Sequence, residues 1–192
     1  YGLGRKKKFK LSKKKNLKLN LSNLKDAKKI TNKFDIIFHL SGNTNLHKAE
    51  KKPNFNYNSN VIPIINLIKN AAHYKKRIKI IFASTGTIFG LSKKINISEN
   101  TNPIPVTVYD KHKLLVEKIL QQYTKLKIID SVSLRIQNIY GISENKTSDK
   151  TRGVLNQIIK NSVDGKPIKL FGNGNYYRDF LHISDLIYAL IF

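Results

Sequence analysis

Three short apolar runs, each preceded by a helical stretch and each ending in a polar loop, constrain this 192-residue chain more than any other feature. Phe34 to Leu40 reads FDIIFHL and breaks at Ser41-Gly42-Asn43. Arg77 to Thr85 (RIKIIFAST) repeats the form and ends at Gly86, and Ile128 to Ile136 (IIDSVSLRI) does so before Gln137-Asn138. Runs of this length and character read as strands inside a sheet. Helical stretches over Leu24–Thr31, Val61–Tyr74 and Thr107–Tyr123 precede them in turn, the last with Leu114, Leu115, Ile119 and Leu120 at helical spacing. Asn60 or Ser59 is the expected N-cap of the middle helix, and Pro63 fits only in its first turn or as a kink. The alternation predicts an α/β fold, a parallel sheet with helices on both faces.

Composition narrows the function classes. Hydrophobic residues make up 40% of the chain, enough for a sizeable core. No apolar stretch reaches membrane-spanning length, and the basic start has no apolar segment behind it to make a secretory signal. There is no cysteine, so disulfide and thiolate chemistry are excluded. The expected location is the cytoplasm. A net charge of +24 invites a nucleic-acid reading, but Lys supplies 31 of the 36 basic residues and Arg only five. Dedicated nucleic-acid binders interleave Arg with aromatics in a groove, whereas here the charge is spread, apart from Arg5 to Lys15. A solvated Lys-rich surface is the better account. The chain has no Met, begins at Tyr1 and ends in the apolar Leu190-Ile191-Phe192, which reads as an internal piece of a longer protein.

In a parallel α/β sheet, ligands bind at the carboxyl ends of the strands. Those ends are His39-Leu40-Ser41-Gly42-Asn43, Ser84-Thr85-Gly86-Thr87 and Arg135-Ile136-Gln137-Asn138, all polar and all on one edge. Tyr109 and Lys113 lie one turn apart at the start of the third helix, on a shared face. By spacing alone they are either a catalytic couple or two residues of a solvated helix.

The order of motifs decides for the former. HLSG follows one strand, STGTIFG the next, YDKHK opens a helix, LRIQNIYG follows, and LFGNGNYYRDFLHISDL comes last. The series resembles the extended short-chain dehydrogenase/reductase family, in its NAD-dependent sugar-nucleotide epimerase/dehydratase (UDP-glucose 4-epimerase-like) branch, from about Leu17 onwards. The resemblance implies a Rossmann-type domain over residues 1–140, lacking its first strand, and the start of a substrate-binding region over 141–192. It implies Tyr109 as acid/base, Lys113 as its partner and ribose anchor, and Thr85, with Ser84 as alternative, as the hydroxyl orienting the sugar. A free tyrosine with pKa near 10 is too weak a base at neutral pH. An adjacent ammonium favours its phenolate, and an oxidised nicotinamide adds positive charge. Asp110, Lys111 and His112 read as surface residues or supports behind the couple.

Further expectations carry over from the resemblance one residue at a time. Leu40, Ser41, Gly42, Asn43 and Thr44 match the loop that lies along the cofactor, and Asn60 a cofactor-contacting asparagine. Asn138, Lys169, Leu170 and Phe171 match residues that contact the sugar nucleotide. Arg178 matches an arginine that grips its phosphates, a bidentate task suited to guanidinium. Arg135 could equally be a structural ion-pair partner, and Gly172 and Gly174 serve the turn after Phe171.

The departures matter too. The family's Gly-rich phosphate turn has no counterpart in these residues. Gly4-Arg5 stands where an acidic residue usually holds the adenosine ribose; Arg5 leans towards NADP in place of NAD, or merely opens a basic run. Asn20 replaces an Asp that touches adenine, and Pro63 a usual Gly. Dehydratases of the family carry Asp-Glu where this chain has Gly86-Thr87, which argues for an epimerase or a reductase. The implied function is epimerisation of a nucleotide sugar by transient oxidation. The alternatives are an NADPH-dependent 4-keto-sugar reductase, a non-catalytic relative or a basic nucleic-acid binder. A homodimer is implied as well.

Overall fold

The computed structural model describes residues 2–4, 16–90, 92, 96–141, 153–168 and 178–191. They form two compact units, 1–135 and 136–192.

In the first unit, β1 (Gly2–Gly4) and β2 (Asn16–Lys18) pair in parallel. A three-stranded sheet follows in the order β3 (Ile36–His39), β4 (Lys79–Thr85), β5 (Asp130–Ile136). β3 and β4 are parallel, with Ile36 opposite Lys79 and His39 opposite Phe82. This is the α/β arrangement the alternation predicts and the Rossmann-like one the resemblance implies, with the three expected runs supplying these three strands. β3 buries Ile37 and His39 and leaves Ile36 and Phe38 half-exposed, a period of two that places one face on the core.

Helices α1 (Leu24–Thr31) and α4 (Ile62–His73) pack on each other and close that core. Ile30, Ile64, Leu67, Ile78, Ile80, Phe82, Val116, Leu120 and Ile129 are fully buried in it. α1 covers the residues the sequence predicts and is capped by Asn23, whose side chain accepts the Lys25 and Asp26 N–H groups. The N-cap expected at Asn60 or Ser59 is not there. Residues 46–60 form two further helices, α2 (Leu46–Lys51) and α3 (Pro53–Asn60). α3 runs almost directly into α4, so Val61 occupies the cap position and makes no side-chain bond. Asn60 and Ser59 belong to the end of α3, and their side chains are released for other uses. Pro63 sits in the first turn of α4, where its missing N–H costs nothing.

After β4 the chain makes a 3₁₀ turn over Gly86–Phe89, and α5 (Val108–Lys125) follows. α5 begins with a capping box: Thr107 accepts from the Asp110 N–H, and the Asp110 carboxylate accepts from the Thr107 N–H.

In the second unit, β6 (Asn138–Tyr140) and β7 (Phe180–His182) are parallel partners, with Asn138 opposite Phe180. α6 (Val154–Val163) and α7 (Ile183–Ile191) complete it. No helix among the described residues is long and apolar enough to cross a membrane.

Candidate active site

Three side-chain ties hold the end of β4 and the turn after it against the N-terminal part of α5. Lys113 Nζ donates to the Ala83 carbonyl at 2.6 Å. The Ser84 hydroxyl donates to Glu117, and the Thr87 hydroxyl donates to Asp110. Positions 110, 113 and 117 recur at helical spacing, so one stripe of α5 meets one strand end. All three of these α5 residues are buried.

Tyr109 and Lys113 therefore share a helix face, with the ammonium 5.8 Å from the phenol ring centroid. Lys113 also lies over the Phe82 ring, 4.5 Å from its centroid, a favourable contact for a cation taken out of water. Burial pulls the Lys113 ammonium down to about 8, against the opposing pull of Glu117. It still carries its proton at pH 7. Tyr109 is pushed up to about 12, by burial first and by the Asp110 carboxylate second. In the protein alone, then, the neighbouring ammonium does not outweigh desolvation, and the phenol is held protonated.

Thr85 is buried at the strand end, its Oγ1 2.9 Å from Thr87 Oγ1 and accepting the Thr87 N–H. Ser84 points elsewhere: its hydroxyl is committed to Glu117. Glu117 in turn pairs with Arg135, whose Nη2 and Nε donate to it at 2.9 and 3.2 Å. Arg135 is thus the structural ion-pair partner of the two roles open to it, resting over the Phe89 ring at 5.1 Å.

Of the two readings open to Asp110, the structure gives the support behind the couple and not the surface residue: it is 3% exposed and receives hydroxyls from both Thr87 and Thr107. Its signal was present as Thr107-x-x-Asp110, a capping pattern that turns the carboxylate back to the helix start. His112 is half-buried against Asn56 and Tyr57, while Lys111 is exposed as expected. Glu117 and Thr87 carried no signal of their own, because their partners come from elsewhere in the chain.

The loop after β3 is braced from behind by Asn60, which is 1% exposed. Its Oδ1 accepts the Asn43 N–H at 3.1 Å and its Nδ2 donates to the Asn43 carbonyl at 3.2 Å. A Cβ at Gly42 would fall 2.2 Å from Asn60 Oδ1, so any larger residue there would displace the amide that braces the loop. Ser41, Gly42 and Asn43 share a cleft with Leu19, Asn20, Leu21, Phe55, Ser59 and Pro63. Asn20 and the loop, far apart in sequence, are thereby brought together around a concave space with polar rims. Asn20 and the loop are the residues there that could hold the adenosine half of a dinucleotide. Leu40 and Thr44 stand exposed at either end of the loop. His39, just before it, is buried and held neutral, its pKa lowered to about 4 by burial and then by Lys113.

In the second unit, Asn138 Nδ2 donates to the Asp179 carbonyl at 2.8 Å, which places Arg178 and Asn138 at one end of the β6–β7 pair. Arg5, Lys169, Leu170, Phe171, Gly172 and Gly174 lie outside the described residues.

Residues 2–192 match the family model described as "NAD dependent epimerase/dehydratase family". The chain is 30% identical over 173 residues to a UDP-glucose 4-epimerase of Lactobacillus helveticus, covering 83% of this chain and 51% of that protein. It is 28% identical to the UDP-glucose 4-epimerase of Mycoplasma genitalium, over 94% of this chain and 58% of the relative. Among solved structures it resembles the Thermus thermophilus UDP-glucose 4-epimerase in complex with NAD, with a TM-score of 0.77 and 22% identity over 91% of this chain and 58% of the other. The chain thus spans about half the length of the curated relatives it matches.

Proposed function

The chain belongs to the NAD dependent epimerase/dehydratase family, and from that premise we propose that it carries the proton-transfer half of an NAD-dependent sugar-nucleotide 4-epimerase. The observation that supports this most is the triple tie of β4 and the turn after it to α5, at Ala83–Lys113, Ser84–Glu117 and Thr87–Asp110. It holds the Tyr109 turn of α5 against the strand end that carries Thr85.

Tyr109 takes the proton from the sugar C4 hydroxyl and later returns it. Thr85 orients that hydroxyl, and Lys113 lends positive charge to the phenolate and holds the nicotinamide ribose. Asn20 and the 40–44 loop receive the adenosine side of the cofactor, with Asn60 fixing the loop. A bound NAD, held by Lys113 and the 40–44 loop, would supply the reversible hydride acceptor that oxidation and re-reduction of the sugar carbon require. Asn138 and Arg178, together with Lys169, Leu170 and Phe171, take the nucleotide diphosphate of the substrate. On this reading the first unit is the Rossmann-type domain and the second the beginning of the substrate-binding region. The working form is a homodimer in the cytoplasm.

Two features separate this reading from its relatives in chemistry. Gly86 and Thr87 offer no acid and base for eliminating water, and an epimerase needs no external reductant. The test is interconversion of C4-epimeric UDP-sugars, followed by proton NMR with NAD present. Tyr109→Phe should slow it by about 10²- to 10⁴-fold without weakening cofactor binding. Unchanged turnover in that variant overturns the mechanism. Net consumption of NADPH on a keto-sugar would replace the epimerase by a reductase.

A further inference from the structure

The cofactor loop and the helix of the catalytic pair are joined by a chain of amides, of which Asn56 and Asn60 are buried. Asn60 is fixed first. It bonds to both the N–H and the carbonyl of Asn43, so its oxygen and nitrogen cannot exchange places. Its Nδ2 also donates to Asn56 Oδ1 at 2.7 Å, and Asn43 Nδ2 donates to the same oxygen at 2.9 Å. The orientation of Asn56 follows, because an exchange there would set its nitrogen against two donors. Asn56 Nδ2 therefore faces His112 Nδ1 across 2.7 Å. An amide nitrogen can only donate, so the imidazole must accept at Nδ1 and carry its single proton on Nε2.

Asn56 is fully enclosed, with no exposed surface through which water could stand in for a lost partner. A proton on His112 Nδ1 would put two donors face to face. Neither Asn56 nor Asn60 can turn to relieve them without breaking a bond further along. A buried donor left unpaired loses the water it had in the unfolded chain and gains nothing in return.

We propose that His112 is a pH-sensitive positioning residue: in its neutral form it latches the Gly42–Asn43 loop in place through Asn56 and Asn60, and on protonation it releases that loop. The inference rests on the reading of this loop as part of the cofactor site, and it makes cofactor retention depend on acidity. It was invisible in the sequence because the four residues stand at 43, 56, 60 and 112.

The groups around the ring leave it to titrate in this sense. α3 carries no charged residue, and its one titratable group is Tyr57, whose ring meets the imidazole edge-on at 5.5 Å. α2, which also packs on α5, carries His47, Lys48, Glu50 and Lys51. Glu50 is engaged with the Val108 N–H at 2.7 Å, and Lys48 lies over Phe55 at 3.9 Å. On α5 itself, Asp110 is bound by Thr87 and Thr107, Lys113 by Ala83 and Glu117 by Arg135, while Lys111 points to solvent. Among the described residues no carboxylate reaches the ring to stabilise its charged form. Partial burial accordingly lowers its pKa.

The test is the hydrogen-exchange protection of the Asn43 amide, corrected for intrinsic exchange and followed by NMR from pH 7.5 to 5. In the unaltered protein the protection factor should fall about tenfold as the ring titrates. His112→Asn offers an acceptor oxygen near the Nδ1 position and cannot titrate, so its protection should stay high and flat. His112→Leu removes the acceptor, so protection should be low at every pH. If His112→Asn loses protection on acidification in parallel with the unaltered protein, or if His112→Leu protects Asn43 fully, the latch is overturned. Should His112→Leu fail to fold, the comparison with His112→Asn decides alone. Exchange is read without cofactor, so a missing latch and a wrong cofactor assignment give different results: the first shows at Asn43, the second only in NAD binding.

Discussion

The two compact units differ in what they enclose. In the first, Phe82, Ile64, Leu67, Ile80 and their neighbours are shut away from water between the sheet and α1, α4 and α5. In the second, Leu186 is the one described residue that is buried, α6 buries nothing, and Val163 is 82% exposed. The groups assigned to proton transfer, Tyr109, Lys113 and Thr85, all stand on the enclosed unit. Those assigned to the substrate, Asn138 and Arg178, stand on the open one. The contrast follows chemistry. A proton relay needs donors and acceptors held to a fraction of an ångström on rigid elements. Groups that grip a charged ligand tolerate looser support.

Four measurements would break or sharpen that contrast. The largest effect belongs to the core: Phe82→Ala should destabilise the protein by about 3–5 kcal/mol in denaturant unfolding, because the side chain is fully buried and also underlies Lys113. Next comes acid. His39 is neutral when folded, with a pKa near 4 against an ordinary 6.5. As pH falls through that window the unfolded chain takes up a proton that the folded one refuses. Stability is therefore full above pH 6.5 and should be lower by about 3 kcal/mol at pH 4, read as a shift in urea midpoint. Third, Thr107→Ala removes one arm of the capping box at the start of α5 and should cost about 1 kcal/mol in the same assay. The smallest is in the open unit: Val163→Ser should change stability by no more than about 0.5 kcal/mol. A loss at Val163 as large as that at Phe82 would end the distinction between the units.

Much of this was legible in the chain. The three apolar runs give β3, β4 and β5, and the bounds of α1 match those read from the sequence. α5 was marked by Leu114, Leu115, Ile119 and Leu120. The helices over 46–60 were not legible, since Asn54, Asn56, Asn58 and Asn60 are poor helix formers and show no apolar stripe. Tertiary packing overrides propensity there, and two of the asparagines, Asn56 and Asn60, serve the loop beside them. The site divides the same way. Tyr109 and Lys113 are a pattern within one helix turn, whereas Glu117–Arg135–Ser84 and His112–Asn56 join residues with nothing in common until the chain folds.

The central claim, that Tyr109 is an acid/base whose proton is released only when the cofactor's charge joins that of Lys113, can be read directly. Tyrosine labelled with ¹³C at Cζ, with Tyr109→Phe to assign the signal, reports the pKa of this one phenol. It should titrate near 12 in the free protein and fall towards neutral pH when NAD⁺ is added, with less of a fall in Lys113→Met. A Tyr109 that remains near 12 with NAD⁺ bound would contradict the account.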